Sequence, residues 1–396
     1  VAIDDPIAVW QAVPAAERAF WYDSSRQTAI VGIHRLAAVT AEQIGDYPFV
    51  WYSRTFFDTP APTVSQRWGT MGNEIVAFAT YFVWRPDGAY WLIADGEEPP
   101  TVAPLTLQPK MALLEEIPHP YEEWQHVFGA IQTAIKEQRL IKAVASREVE
   151  FDSGRPVDVG ATLYCLRRNN PGCYIFAYEK DGRTFLGASP EILVAKDGID
   201  VLSYALAGTI TKDGVDDEAR GRELLADDKN QREHKIVVER IRRALAAHSL
   251  SVTVGITGLM ELKNLFHLRT ILAVHSNGHS IIEWSNWLHP TPAMGGEPKD
   301  VAMPLLAEAE QHDRGVYASP LGMIDRNGDG VLAVGIRSAL VVGTKIYAYA
   351  GCGIVAGSDC ESEYKETRQL YQSVLEYMHS DKFSPAYHIT LPDLLN

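Results

Sequence analysis

The stretch YIFAYEKDGRTFLGASPEILVAKDGIDVLSYAL, residues 174–206, decides the fold class. It holds short apolar runs that are bounded by the dipeptides Asp181-Gly182 and Asp197-Gly198. Asp-Gly between strand-like runs is typical of tight β-hairpin turns, because both residues tolerate a positive φ. Strands joined by such short turns run antiparallel, since parallel neighbours need a long crossover connection. The stretch therefore predicts an antiparallel sheet.

Strand-like runs also lie before and after this stretch, at 75–84, 90–94, 141–151, 331–342 and 345–349. Turn residues separate these runs, as expected between neighbouring antiparallel strands. Few of the connections are long enough to contain a helical crossover. We therefore expect an α+β fold, with helices packed on antiparallel sheets, and not a doubly wound parallel fold.

Three segments show a helical pattern. Apolar residues recur at helical spacing from Trp124 to Ile135, and a long polar-rich helix is predicted over 217–248, with Glu233 inside it. A last helix begins near Asp359. No linker or internal repeat interrupts the pattern, which predicts a single domain over residues 1–396.

The composition excludes several functional classes. The 396 residues carry 36 Lys and Arg against 51 Asp and Glu, a net charge of -15 without a basic cluster, so no nucleic acid partner is expected. The four cysteines form no CxxC pair, which favours a reducing cytoplasm over a disulfide scaffold. The N-terminus lacks a secretory pattern, and charged residues interrupt every apolar stretch before it reaches membrane-spanning length. We expect a cytoplasmic protein without a membrane partner.

Two motifs resemble known binding loops and fail. The segment 325–330 copies the start of a calcium loop, but Ile336 stands at the twelfth position, where a bidentate Glu is required. A hairpin turn is the expected structure. The glycine-rich segment 351–357 has the wrong glycine spacing for a dinucleotide loop. Its glycines either let backbone amides approach an anionic ligand or mark an ordinary strand end.

Three positions carry candidate chemistry, each with an ordinary alternative. Glu363 and Glu366 share a helix face and could hold Mg²⁺, although such pairs are more often solvated. Glu233-His234 is equally ambiguous. Lys142 opens an apolar strand, where it is either partly desolvated and suited to act as a base or an edge lysine that points to water.

Taken together, the chain resembles the chorismate-utilising enzymes, the family of isochorismate, salicylate, anthranilate and aminodeoxychorismate synthases. The resemblance covers residues 121–378 and rests on ten motifs in family order. They are Lys142-Ala-Val-Ala-Ser-Arg147, Gly187-Ala-Ser-Pro-Glu191, Leu206-Ala-Gly-Thr209, Glu233-His234, His267-Leu268, Leu288-His-Pro-Thr-Pro-Ala293, Asp313-Arg-Gly-Val-Tyr317, Ile336-Arg-Ser338, Gly351-Cys-Gly-Ile-Val355 and Glu363-Tyr-Lys-Glu366.

The resemblance implies a fold of two stacked antiparallel sheets with helices packed outside. It also divides the predicted domain into a divergent N-terminal part, residues 1–115, and a family-matching catalytic part, residues 120–380. The implied substrate is chorismate and the implied cofactor is Mg²⁺.

The resemblance implies catalytic and metal-binding roles. Lys142 would act as general base on a water that attacks ring carbon 2, and Glu191 would protonate the hydroxyl that leaves carbon 4. Neutral lysine and protonated glutamate are required, so these two side chains should not contact each other. Glu233 and Glu366 would hold Mg²⁺, with Glu363 assisting through a water molecule.

It also implies a binding site for the substrate. Arg337 would hold the enolpyruvyl carboxylate, assisted by the Tyr317 hydroxyl and the Gly353 backbone amide. The residues implied to border the ring are Gly208, Thr209, His267 and Ala293; for His267, a packing role is the alternative.

Several residues distinguish among the family reactions. Lys142 favours water over ammonia as the nucleophile, so no glutaminase subunit is expected. Ala207 replaces the nucleophilic lysine of aminodeoxychorismate synthases, and Ala293 matches isochorismate synthases, whereas salicylate synthases tend to carry threonine there. Isochorismate for menaquinone or siderophore biosynthesis is the expected product; the alternatives are a salicylate synthase and a non-catalytic ligand-binding relative. One departure is Leu370, where family members usually carry lysine, which Lys365 or Arg368 could replace.

Overall fold

The computed structural model describes residues 3–14, 17–58, 66–107, 114–212 and 214–378. The ends of the predicted domain, at residues 1 and 396, and the predicted end of the catalytic part, at residue 380, lie outside the described residues. None of the helices within these ranges is long and apolar enough to cross a membrane.

Nineteen strands and eight α-helices are present in the described residues. The strands are β1 (Arg18–Asp23), β2 (Thr28–Ala38), β3 (Phe49–Ser53), β4 (Glu74–Arg85), β5 (Gly88–Ile93), β6 (Glu115–Ile117), β7 (Lys142–Asp152), β8 (Tyr174–Lys180), β9 (Arg183–Ser189), β10 (Ile192–Asp197), β11 (Asp200–Thr211), β12 (Thr253–Val254), β13 (Gly258–Glu261), β14 (Leu265–His275), β15 (Gly296–Glu297), β16 (Pro320–Asp325), β17 (Gly330–Val334), β18 (Ser338–Val342) and β19 (Lys345–Val355). The helices are α1 (Ile7–Ala12), α2 (Tyr121–Lys136), α3 (Val159–Asn169), α4 (Asp217–Ala226), α5 (Asp228–Ala246), α6 (Ile281–Leu288), α7 (Lys299–Ala309) and α8 (Cys360–Met378).

The strands form two stacked antiparallel layers, as expected. One layer runs in the order β7-β19-β18-β9-β8-β1-β2, and the other in the order β3-β16-β17-β10-β11-β14. The layers pack face to face: Trp51 on β3 stacks on Tyr178 on β8, with ring centroids 5.4 Å apart. Strand β4 pairs with both β2 and β3, so the two layers are halves of one continuous hydrogen-bonded sheet.

Apolar side chains hold the layers together and attach the helices. An aromatic-rich core fills the space between the two layers. Helices α1, α3 and α8 cover the outer face of the first layer, and α5 and α6 cover that of the second. Helices α2 and α7 pack against β7 and β19. The fold class predicted from the sequence is confirmed.

The predicted turns are found as hairpins. Asp181 and Gly182 connect β8 to β9 and have positive φ values of 50° and 70°, as the Asp-Gly pattern requires. Similar tight connections join β4 to β5, β10 to β11 and β18 to β19. The former calcium-loop candidate at 325–330 is the turn between β16 and β17.

Two predicted elements are interrupted. The helix predicted over 217–248 is split at Asp227, whose carboxylate accepts a hydrogen bond from the Asn230 backbone amide at 2.7 Å and so caps α5. The strand predicted over 331–342 is split into β17 and β18, because Arg337 adopts a left-handed conformation with φ 50°. Both interruptions border the cavity described next.

Candidate active site

A cavity of about 210 Å³ lies where β7, β11 and β19 meet helices α5 and α8. Such a concave site with a few converging polar groups is the usual form of a small-molecule site. All twelve site residues named from the sequence line it: Lys142, Glu191, Gly208, Thr209, Glu233, His267, Ala293, Tyr317, Arg337, Gly353, Glu363 and Glu366.

Lys142 opens β7 and is buried, with 1% of its side chain exposed. The alternative of a solvated edge lysine is therefore wrong. Its Nζ lies 2.8 Å from Oε1 of Glu233, which projects from α5. A buried ion pair is stable only with good geometry, and this one joins the candidate base to a candidate metal ligand.

Gly353 makes room for this ion pair. It lies on β19 opposite Val144 in the ladder with β7. A Cβ atom at position 353 would lie 2.5 Å from Oε1 of Glu233 and 2.8 Å from Cε of Lys142. Such contacts are well inside van der Waals distance, so any side chain here would displace one partner of the pair.

Glu191 lies between β9 and β10, with its main-chain oxygen bound by the Val334 amide at 3.0 Å. Its side chain is buried, and among the described residues no cation lies within 4.0 Å of the carboxylate. Burial raises the pKa of Glu191 to about 8, although the charge of Lys142 acts in the opposite direction. This carboxyl is therefore protonated at neutral pH and able to donate a proton.

Helix α8 contributes two further carboxylates. Glu363 is buried, with 5% of its surface exposed, so the solvated-face alternative is wrong. Burial, followed by the charges of Glu363 and Glu233, raises the pKa of Glu366 to about 7. Lys229 partly compensates for this charge, with its Nζ 3.6 Å from Oε1 of Glu363. Three carboxylates thus converge on one side of the cavity and repel one another.

These carboxylates suit Mg²⁺ chemically. Magnesium prefers oxygen ligands, especially carboxylates, and the repulsion that raises the pKa of Glu366 is what a divalent cation would relieve. Across the described ranges, however, no three His, Cys, Asp or Glu side chains are positioned to hold a metal ion. Glu233 contacts Lys142 instead.

Arg337 faces the cavity from the gap between β17 and β18. One of its terminal nitrogens donates to Nε2 of His267 at 3.0 Å, and Nδ1 of His267 lies 2.9 Å from the Thr209 hydroxyl. Because Nε2 accepts from arginine, the ring proton is on Nδ1. Burial and the charge of Arg337 lower the pKa of His267 to about 3, so the histidine is neutral.

The guanidinium of Arg337 thus contacts a neutral imidazole. Within the described part of the chain, no carboxylate lies within ion-pair distance of it. Because no carboxylate there compensates for the loss of water around the charge, burial lowers the pKa of Arg337. A desolvated, unpaired guanidinium on a cavity wall is a receptor for an anionic group. His267 contacts this guanidinium and orients it. The role of His267 is therefore more than the packing role left open by the sequence, and more than bordering the substrate ring.

Backbone conformation shapes the remaining walls. Gly208 has φ 81° at a bulge between β11 and β14, and a Cβ there would lie 3.2 Å from Asn230. Ala318 is a second non-glycine residue, besides Arg337, that lines the cavity with a positive φ, here 60°. The Tyr317 ring stacks on Tyr349, with centroids 5.3 Å apart.

Sequence reasoning did not assign a role to several lining residues. Lys229 lies one turn before Glu233 on α5, and that helical spacing could have revealed it. Arg314 lies inside the motif 313–317, in which only Tyr317 was predicted to be a site residue. Leu370 lines the cavity, but neither suggested replacement cation does so: Lys365 pairs with Glu361 at 2.6 Å and Arg368 approaches Glu116 at 3.7 Å.

The family model for the chorismate binding enzymes matches residues 98–379. The chain belongs to this family. Membership of this family explains why residues from ten separate motifs line one cavity.

Two curated relatives of this chain are named as isochorismate synthases. The isochorismate synthase MenF of Bacillus subtilis is 40% identical over 253 residues, which cover 62% of this chain and 53% of the relative. The salicylate biosynthesis isochorismate synthase of Pseudomonas aeruginosa is 36% identical over 249 residues, which cover 62% of this chain and 52% of the relative. The chain thus spans about half the length of these curated relatives.

Solved structures of family members confirm the fold. The menaquinone-specific isochorismate synthase MenF of Escherichia coli matches with a TM-score of 0.80 and 24% identity, covering 94% of this chain and 91% of that one. A putative 2,3-dihydroxybenzoate-specific isochorismate synthase, DhbC of Bacillus anthracis, matches with a TM-score of 0.75 and 26% identity, covering 93% and 98%. The coverage includes most of the N-terminal part that the sequence motifs did not reach.

Proposed function

We propose that this protein converts chorismate to isochorismate in a Mg²⁺-dependent reaction. The observation that carries the proposal is the placement of Lys142 and Glu191 on one cavity without contact between them. The raised pKa of Glu191 supplies the protonated acid that the reaction needs. The names of the relatives support the same reaction.

In the proposed reaction, Lys142 and Glu191 act on two ring carbons. Lys142, in its neutral form and released from the ion pair with Glu233, removes a proton from a water molecule as the water oxygen forms a bond to ring carbon 2. The ring double bonds shift, the bond between carbon 4 and its hydroxyl breaks, and Glu191 gives that hydroxyl a proton so that it leaves as water. One water is consumed and one is released, so the reaction is an isomerisation.

Anion recognition is assigned to the cations and donors of the cavity wall. Arg337, oriented by His267, holds the enolpyruvyl carboxylate with help from the Tyr317 hydroxyl and the Gly353 amide. Glu233 and Glu366, with Glu363 in support, would hold Mg²⁺ once Glu233 leaves its contact with Lys142, and the cation would supply positive charge for the ring carboxylate. An acidic protein can thereby bind a dianion.

We assign the remaining residues that line the cavity to contacts with the substrate ring. Gly208 and Thr209 border the ring and the leaving hydroxyl, and Ala293 also borders the ring. The catalytic unit is the single domain predicted from the sequence, and no glutaminase subunit is needed because water is the nucleophile. We place the reaction in the cytoplasm, in menaquinone or siderophore biosynthesis; the sparse cysteines, without a CxxC pair, favour a reducing compartment.

The test is chromatographic analysis of the products formed from chorismate by the purified protein, with and without Mg²⁺ and with added ammonium. Isochorismate alone, formed only with Mg²⁺, is the expected result. Salicylate with pyruvate would show a salicylate synthase, and anthranilate in ammonium would overturn the role of Lys142. Binding of chorismate without any product would show a non-catalytic relative.

A further inference from the structure

Arg314 is fully buried on the wall of the cavity, yet its charge is already neutralised. Its Nε lies 2.8 Å from one carboxylate oxygen of Glu310, and a terminal nitrogen lies 2.5 Å from the other. This bidentate, fully buried pair differs from Arg337, which has no carboxylate partner in the described residues. Arg314 is therefore poorly suited to hold a substrate anion.

The remaining donors of Arg314 bind the main chain of two neighbouring segments, which also meet directly where the Val144 amide donates to the Gly295 carbonyl at 2.7 Å. One terminal nitrogen donates to the Met294 carbonyl at 2.9 Å, and the other donates to the Val144 carbonyl at 2.7 Å. Met294 follows Ala293, and Val144 lies on the same face of β7 as Lys142. One rigid guanidinium thus connects the wall of Ala293 to the strand of Lys142.

Glu310 is itself held in place. Its Oε1 accepts hydrogen bonds from the Ser146 amide at 2.9 Å and from the Ser146 hydroxyl at 3.0 Å. The Ser146 hydroxyl also lies 2.8 Å from Nε2 of His312. Because the hydroxyl gives its own proton to Glu310, it accepts a hydrogen bond from Nε2. Burial favours protonation of Glu310, but Arg314 outweighs this and lowers the pKa, so the pair is charged.

We propose that Arg314 is a positioning residue for the reaction proposed above: through Met294 and Val144 it sets the distance between Ala293 and the Lys142 strand. The proposal rests on the proposed function, since it concerns how the base is placed against the ring. A displacement of about 1 Å between reacting groups can reduce a rate by roughly 100-fold. Shortening the guanidinium to an ammonium removes at least one of the two main-chain bonds.

The chain offers a matched control far from the cavity. Arg18 is also buried: two of its nitrogens donate to Oε2 of Glu179 at 2.6 and 2.8 Å, and the third donates to the Val13 and Trp10 carbonyls. It lies on β1, and none of its hydrogen-bond partners in the described residues lines the cavity. Arg18→Lys therefore reproduces the loss of stability without the loss of alignment.

The experiment compares Arg314→Lys with Arg18→Lys in kcat and KM for chorismate and in the unfolding midpoint. We expect similar losses of stability, but a kcat lower by roughly 10- to 100-fold only in Arg314→Lys, with a smaller rise in KM. Equal kcat and KM in the two variants would overturn the proposal. If Arg314→Lys does not fold, a comparison of kcat between Glu310→Asp and Glu179→Asp tests the same point. The aspartate side chain is shorter, so the arginine paired with it shifts toward the aspartate backbone.

Failure of the proposed function has a separate signature. If the wild-type protein forms no product, the activity proposal fails, and the positioning role is judged by calorimetric titration with chorismate. Weaker chorismate binding in Arg314→Lys than in Arg18→Lys would still support the positioning role. Equal affinities would overturn it.

Discussion

Lys142 and Glu233 meet at 2.8 Å, between Nζ and Oε1, directly in front of the Cα of Gly353. One residue is the proposed base and the other a proposed ligand of Mg²⁺. The same carboxylate oxygen cannot serve the lysine and a metal ion equally, so the two proposed roles are physically linked. Several of the expected results below depend on this contact.

Replacement of Lys142 by alanine should remove turnover and leave chorismate binding measurable. A general base contributes mainly to the transition state, so kcat should fall by roughly 100- to 10,000-fold. Lys196→Ala is the matched control, because Lys196 forms a comparable pair with Asp329 at 2.7 Å outside the cavity. Parallel losses of binding and turnover in Lys142→Ala would instead indicate a structural lysine.

The pH profile should report Glu191. Its pKa is about 8, so kcat should decline as the pH rises through that value and the acid loses its proton. The native carboxyl holds its proton more tightly than the unfolded chain, whose pKa is near 4.5, so this group makes stability fall as pH rises from 4.5 to about 8. Glu191→Gln should show low activity and a weaker loss of stability across that window. A kcat that stays constant up to pH 10 in the wild-type protein would contradict the role.

Replacement of Glu366 by glutamine should raise the Mg²⁺ concentration needed for half-maximal activity by at least about tenfold, because it removes an anionic ligand. Without metal, the same variant should be more stable than the wild type at pH 8, where Glu366 is charged and repelled by Glu363 and Glu233. Glu361→Gln is the control, since Glu361 is exposed on the same helix and pairs with Lys365. An unchanged metal titration would remove Glu366 from the site.

Alanine at position 353 should abolish activity, because its Cβ would displace Glu233 or Lys142. The matched control is Gly129→Ala in the middle of α2, where a Cβ meets no atom within 4 Å. That variant should gain about 1 kcal/mol in stability and retain full activity. Full activity in Gly353→Ala would show that the contact between Lys142 and Glu233 can be broken without consequence.

Lysine at position 370 should tighten chorismate binding. Leu370 lines the cavity, and a charge-assisted contact is worth roughly 1 to 3 kcal/mol, so KM should fall by roughly 5- to 150-fold. Gln369→Lys, on the adjoining helix face and outside this cavity, is the control for added charge. A KM that is unchanged in Leu370→Lys would show that another cation, such as Lys229, already meets this need.

The fold class was predictable because turn chemistry is local. Asp181-Gly182 specifies a hairpin through its own backbone preferences, whatever the rest of the chain does. The break at Asp227 was not predicted, because the apolar periodicity continues on both sides of a capping residue. Likewise, nothing local distinguishes Arg337 from a regular strand residue, although its left-handed conformation divides β17 from β18.

The members of the site could be named from motifs, but their contacts could not. Motif residues identify what lines the cavity, whereas the pairing of Lys142 with Glu233 depends on how β7 and α5 pack. The support of Arg337 by His267 has the same origin, since β14 brings the imidazole beside the gap in a distant strand. Sequence separation hides such contacts, and only the assembled sheet creates them.

Ala318 and Arg337 both line the cavity in a left-handed conformation, each close to the start of a strand: β16 begins at Pro320 and β18 at Ser338. For residues other than glycine, that conformation costs about 1–2 kcal/mol. Selection for thermal stability alone would favour glycine at both positions, and at position 337 glycine would remove the anion receptor. A stabilising change to glycine is therefore not open at position 337, because the guanidinium must be kept there.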